Sequence, residues 1–336
     1  MKVKSKITLS LISLFIFVLG SVYFMEQVLR YRHIPGDDGK VHQSVHKPIC
    51  RTWHTQFEFQ YGEGDTLYPS CEEALTHPGE DFFVSSANGL EIHFKHLQDQ
   101  RSAPLSEEAP IWLHVHGITG DWLSAARYIN SANFLKLRLV GMDLSNHGES
   151  SNDGNGAFWG CRESHDVVAV VKRLRDMYPK APIFVTAVSM GTMAVARAEK
   201  EIRALGVKAI VLEAPIGNVI STVPSFARPI TFLALTMRSW KDGLDLNVCD
   251  ANEALPQFAT PTLIVNVADD PFISKEDALA YFDRLPKDLD KRIVFFEKGI
   301  HTLAYNYNRI EFIQKFKDLY TSAMNADRDR LGQELK

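Results

Sequence analysis

From Asp81 onward the chain alternates between two kinds of apolar pattern. "DFFVSSANGLEIHFKHL" reads as two strands around an Asn88-Gly89 turn, a dipeptide that tolerates the positive φ angles of a tight hairpin. "APIWLHVHG" is a strand ending at a glycine, and "FLKLRLVGMDL" is another. In "RESHDVVAVVKRLRDMYP" the apolar residues recur at helical spacing and stop at Pro179. "APIFVTAVSMG" is a short, continuously apolar strand. The helix "TMAVARAEKEIRALG" follows it and closes at Gly206. "VKAIVLEAP", "TPTLIVNVADD" and "KRIVFFEKG" read as three more buried strands. "KEDALAYFDRL" and the stretch from Asn308 to about Met324 read as helices. Apolar strands alternating with helices predict an α/β fold, a mostly parallel sheet with helices on both faces. The opening hairpin adds an antiparallel edge. One segment, 216–258, breaks the rhythm: it is long and irregular, as an inserted lid would be.

The first 80 residues follow different rules. Lys2, Lys4 and Lys6 precede a run without charge from Ile7 to Met25. Such a run suits a membrane-spanning helix, and the basic start also suits a secretory signal. Val18 and Gly20 are small enough for cleavage after Gly20, but the apolar run continues beyond it, which favours a retained anchor. Either reading leaves the bulk of the chain translocated, anchored in an inner membrane and facing the periplasm, or periplasmic. Residues 26–80 are polar, His-rich and aperiodic, and are expected as an extension packed on a domain spanning 81–325. Residues 326–336 are expected as a polar tail.

Composition changes this picture only a little. Hydrophobic content of 45% and charged content of 23% are globular values. The net charge of −4, with no basic block interleaved with aromatics, excludes a nucleic-acid binder. The four cysteines are Cys50, Cys71, Cys161 and Cys249. None forms a C-x-x-C pair, and an even count in an oxidising compartment points to disulfides. Cys50–Cys71, within the extension, is the favoured pair; Cys161–Cys249 is a second, and four free thiols are the alternative.

The chemistry gathers at predicted strand ends, where open parallel sheets bind ligands. Ser189 follows "IFVTAV" and precedes a helix, with the small residues Ala187 and Gly191 on either side. Asp269 and Asp270 follow "TLIVNVA", His301 follows "IVFFEKGI", and His116-Gly117 follows "IWLHV". Serine, aspartate and histidine in that chain order match one of the scaffolds on which this triad arose.

These residues carry a resemblance. From about Asp81 to Met324 the chain is similar to the α/β-hydrolases, through "HVHGITGDW", "GMDLSNHGESS", "AVSMGTM", "VNVADDPFIS" and "EKGIHTL". Together these pieces resemble the monoglyceride-lipase and serine-aminopeptidase-like branch. Ala187 and Thr192 stand where that family often has glycine. The resemblance implies Ser189 as nucleophile, His301 as base and Asp269 as the acid that orients it, Asp269 being picked by spacing from Asn266, with its neighbour Asp270 as the alternative. It assigns the oxyanion donors to the backbone N–H groups of Ile118 and Met190, with His116, Gly117 and Gly191 supporting the turns. It implies ester hydrolysis through an acyl-serine, without metal or organic cofactor. A peptidase or amidase, and a non-catalytic binding protein of the same fold, are the alternatives. Glu213 is a remoter candidate acid, better explained by capping or solvation. His147-Gly148 is expected to shape a loop. Phe158, Trp159, Phe226, Phe232 and Trp240 are read as pocket lining or plain packing. His93 and His96 are read as solvated histidines rather than metal ligands.

Overall fold

The computed structural model describes residues 17–30, 79–97, 104–243 and 249–334, with side chains as far as 326. Its centre is an eight-stranded sheet in the order β1-β2-β4-β3-β5-β6-β7-β8. The strands are β1 (Glu80–Ser85), β2 (Glu91–Leu97), β3 (Ile111–Val115), β4 (Arg138–Met142), β5 (Ile183–Val188), β6 (Val207–Glu213), β7 (Thr262–Val267) and β8 (Lys291–Phe296). β1 pairs antiparallel with β2, and β2 antiparallel with β4. Every pairing from β4 through β8 is parallel. The hairpin at one edge is therefore where the antiparallel strands lie, as its turn residues predict.

Helices cover both faces. They are α1 (17–30), α2 (Ile129–Leu135), α3 (Glu163–Met177), α4 (Met190–Ala204), α5 (Arg228–Asp242), α6 (Lys275–Arg284), α7 (Ala304–Tyr307) and α8 (Arg309–Glu334). β5 shows why its sequence is apolar without alternation. Ile183, Val185 and Ala187 enter one core with Val170 of α3 and Val195 of α4. Phe184 enters the other, with Trp112 and Phe316 of α8. A strand buried on both sides has no polar face to show.

Several boundaries depart from expectation. The crossover from β3 to β4 holds a 3₁₀ helix, Trp122–Tyr128, that runs into α2. Every residue of that 3₁₀ helix is buried, so no polar face marks its period. α8 continues to Glu334, into the segment expected as a polar tail. The insertion 216–258 contains a real helix, α5, opened by Pro229 in its first turn and closed by Gly243 in the left-handed conformation. Cys249, near the end of that insertion, is bonded to Cys161, 88 residues away in sequence. Cys50, Cys71 and most of the expected extension lie outside the described residues.

The apolar run Ile7–Met25 is described only from residue 17, and among the described residues no helix is long and apolar enough to cross a membrane. What is described is attached to the domain. Val22 and Leu29 join the main core. Glu26 and Arg30 are buried, and Arg30 bonds Asp242 of α5 at 2.8 Å. The Leu29 carbonyl accepts from the Trp159 indole at 2.7 Å and from Arg238 at 3.3 Å. Residues 26–30 are thus helical, where an aperiodic stretch was expected, and they pack on the domain as the extension was expected to.

The reading of His93 and His96 as solvated is wrong: both are buried. They stand three apart on β2 and so point to opposite faces. His93 bonds Asp143 through Nδ1 at 2.7 Å and Asp81 through Nε2 at 2.9 Å. Burial would lower its pKa, but these carboxylates outweigh burial and hold it above the ordinary value. His96 has no such partner. It packs on Phe82 and Tyr178, and burial, aided by Arg138, pushes its pKa down to about 4 from 6.5. Below pH 6.5 the unfolded chain binds a proton that the folded ring refuses until about pH 4. This ring therefore costs stability as pH falls through that window, by about 3 kcal/mol at its lower end. His96→Phe should lose less stability than the wild-type chain between pH 7 and 4.5, as read by urea unfolding across that range.

Candidate active site

Ser189 follows directly on the end of β5 and precedes the first residue of α4. A strand entering a helix with no intervening loop forces a sharp backbone turn, and Ser189 takes φ 51°, ψ −124°. L-residues rarely adopt such angles, which store strain of order 1–3 kcal/mol. The turn persists because its surroundings hold it. The Ser189 N–H donates to the Glu213 carbonyl at 3.0 Å, and the Ser189 carbonyl accepts from Thr192 N at 2.9 Å and Thr192 Oγ1 at 2.6 Å. Thr192, in a frequent glycine position, also accepts from Ile216 N at 3.0 Å and so ties the turn to the chain leaving β6.

Gly191 explains the small residue after the serine. A Cβ at this position would collide with the backbone carbonyls of Val115 and His116 at the end of β3. Backbone cannot move aside as a flexible side chain can. Gly191→Ala should destabilise the fold by about 1–3 kcal/mol, measured by chemical unfolding. Ala187 is fully buried in the core, so its methyl is accommodated where the family often has glycine.

His301 lies in the turn after β8, with Nε2 3.0 Å from Ser189 Oγ. Its Nδ1 lies 2.8 and 3.0 Å from the two carboxylate oxygens of Asp270. An ionised carboxylate only accepts, so Nδ1 carries the proton and Nε2 presents its lone pair to the serine hydroxyl. The acid beside the histidine is Asp270 rather than the expected Asp269, which is exposed. β7 runs one residue past Asn266, to Val267, which moves the turn along by one. Asp270 N–H closes that turn on the Val267 carbonyl, and its Oδ1 accepts from Phe272 and Ile273 N–H. The carboxylate is thereby fixed before it meets the imidazole.

The loop after β3 approaches the serine from the other side. The Ile118 N–H has no hydrogen-bond partner among the described residues. The Met190 N–H is the first of α4, one of those a helix leaves without an internal carbonyl. Two histidines brace this loop. His116 Nε2 accepts from Leu144 N–H at 3.0 Å, so Nδ1 is the donor to the Gly117 carbonyl at 2.6 Å. His147 is buried, and burial lowers its pKa although two carbonyls face its nitrogens. A neutral ring has one N–H, and the shorter contact, 2.6 Å, is to the Ile118 carbonyl. His147 thus holds the Ile118 peptide, the loop-shaping part expected of it. Behind the loop, Asp143 accepts from Trp122 N–H at 2.6 Å. Asp121, buried beside Asp143, is pushed up to about 7 by desolvation and that neighbour's charge.

A cavity of about 120 Å³ is lined by Phe158, Trp159, Met193 of α4, Phe232 and Leu235, and also by the polar Arg238 and Asp250. Three of the five aromatic residues singled out in the sequence line it. Phe226 and Trp240 do not; they are 84% and 88% exposed. Glu213 is buried at the end of β6, and its Oε1 accepts from Ala304 N–H at 2.7 Å. That is a capping bond. No sequence signal linked it to the histidine turn, because the two segments are 91 residues apart.

Residues 113–245 match a family model described as the alpha/beta hydrolase fold. No curated protein matches the sequence. Among solved structures, the esterase Pf2001 of Pyrococcus furiosus superposes with a TM-score of 0.56 at 16% identity, over 74% of this chain and 94% of that one. DcsB, solved in complex with a substrate analogue, gives 0.58 at 14% identity, over 73% and 99%. The esterase RhEst1 of Rhodococcus sp. ECU1013 gives 0.53 at 13% identity, over 72% and 99%. Identities this low establish architecture alone, and the architecture of this chain is the α/β-hydrolase fold.

Proposed function

We propose that this chain is a serine hydrolase that cleaves a carboxylic ester through an acyl-serine intermediate. The observation that carries the reading is the chain of contacts from Ser189 Oγ through His301 to Asp270, with the serine on a strained turn. A serine hydroxyl is a poor nucleophile until a base takes its proton. His301 Nε2 takes it as Oγ attacks the ester carbonyl, and Asp270 stabilises the imidazolium that forms. The tetrahedral oxyanion is met by the N–H groups of Ile118 and Met190, each such donor being worth roughly 3–4 kcal/mol of barrier. His301 then returns the proton to the departing alkoxide. Water repeats the sequence on the acyl-serine and regenerates the free hydroxyl.

The apolar side of the cavity, Phe158, Met193, Phe232 and Leu235, supports an acyl or lipid-like group on the substrate. The motif set supports the monoglyceride-lipase and serine-aminopeptidase-like branch, and the solved esterases of the same fold favour an ester over an amide. Incubation of the full chain with a fluorophosphonate probe, followed by intact mass, tests the nucleophile. One adduct per chain is expected, and none would overturn the reading. A panel of p-nitrophenyl esters of increasing chain length, run beside aminoacyl amides, tests the bond cleaved.

The lysine-flanked apolar run supports export, as a retained anchor or a cleaved signal. The Cys161–Cys249 bond is consistent with an oxidising compartment. Mass mapping of unreduced protein from its native membrane tests this: four alkylatable thiols would remove the support.

A further inference from the structure

Glu213 touches both halves of the site. Its main-chain carbonyl, at the end of β6, accepts the N–H of Ser189 at 3.0 Å. Its carboxyl accepts the N–H of Ala304 at 2.7 Å, three residues beyond His301. The turn between β8 and α7 is closed by one backbone bond of its own, Leu303 N–H to the Ile300 carbonyl at 3.0 Å. Gly299 and Thr302 both have positive φ, and Ile300 is 45% exposed. Its backbone is held from the sheet side by Arg127, which donates to the Thr302 carbonyl at 2.5 Å, and by Glu213, while Asn308 donates to the Lys298 carbonyl at 2.7 Å. A capping group for a four-residue helix needs neither a charge-bearing side chain nor full burial, yet Glu213 is 2% exposed and its second oxygen, Oε2, has no partner among the described residues. Burying a carboxyl in this way is costly. Ser189 and His301 belong to elements that do not neighbour each other in sequence, and only 3.0 Å separates their reacting atoms.

We propose that Glu213 is a positioning residue for the reaction: it fixes the turn that carries His301 to the strand end that carries the serine turn. The inference rests on the serine-hydrolase reading. His301 donates its Nδ1–H to Asp270, so Glu213 is not its acid. It acts one step back, on the backbone that aims the ring. Burial raises the pKa of its carboxyl, with the opposing charge of Arg127 pulling the other way. An amide oxygen can accept from Ala304 as a carboxyl oxygen does, whereas an alkyl group cannot.

The test compares Glu213→Gln, Glu213→Leu and Glu213→Ala in the full chain, with kinetics normalised to the sites titrated by the fluorophosphonate. Gln should keep kcat within about threefold, while Leu and Ala should lose on the order of 10²-fold in kcat with KM little changed. Rescue by Gln together with the kcat-only loss is what a purely structural role would not give. Equal kcat in all three would overturn the proposal. So would misfolding of both apolar variants with Gln folded, which would assign Glu213 to stability alone. A wild-type chain that neither hydrolyses nor labels would instead remove the hydrolase reading on which the proposal rests.

Discussion

Ser189→Ala should abolish fluorophosphonate labelling and lower kcat by on the order of 10⁵- to 10⁶-fold, a barrier increase of about 7–8 kcal/mol. The change removes only Oγ. The backbone bonds that shape the turn, from Ser189 N–H to Glu213 and from Thr192 to the Ser189 carbonyl, do not involve that atom. Melting temperature should therefore stay within a few degrees, and alanine meets the same positive φ that serine already bears. What remains after the substitution is binding plus the two N–H donors, which still favour attack by water over the uncatalysed reaction. An alanine variant that hydrolyses the ester within tenfold of wild type would remove Ser189 from the mechanism.

Asp270→Asn should lower kcat by about 10⁴-fold, whereas Asp269→Asn should change it by only a fewfold. The neighbours carry the same side chain, and their surroundings separate them. Asp270 is buried, lies 2.8 Å from His301 Nδ1, and is held by two backbone N–H groups; Asp269 is exposed. An amide at position 270 can present an N–H to Nδ1. The ring then favours the tautomer with its proton on Nε2, which cannot accept from the serine. Steady-state kinetics on both variants, with circular dichroism to confirm folding, decide the assignment. The reverse ranking would move the acid to Asp269.

The sequence made the sheet legible because its central strands are buried on both faces and read as unbroken apolar runs, "IFVTAV" and "TLIVNV" above all. Ser189 was legible because it follows such a run directly, and His301 because it stands in the turn that ends the last one. The acid was one residue out because the exit of β7 was counted from Asn266, while the strand continues to Val267. The 3₁₀ helix at Trp122–Tyr128 left no trace because a fully buried segment has no polar period. His93 and His96 looked solvated because polarity alone does not reveal a neighbour such as Asp143, 50 residues away. Glu213 belongs to the same class: its partner is fixed by topology, and no local pattern encodes that.

The docking of α1 sets a limit on how the chain can be shortened. A truncation aimed at removing the apolar segment has a natural stopping point before Val22, which keeps the residues that pack on the domain. A cut just after Arg30 would remove Leu29, whose carbonyl satisfies the Trp159 indole and helps to satisfy Arg238. It would also take away the guanidinium bonded to Asp242. The Trp159 indole would lose its acceptor, and Asp242 would keep only Arg238, at 3.3 Å, at the end of α5. Shortened material of that kind would be expected to aggregate or lose its inserted segment, and its failure would say nothing about the catalytic residues.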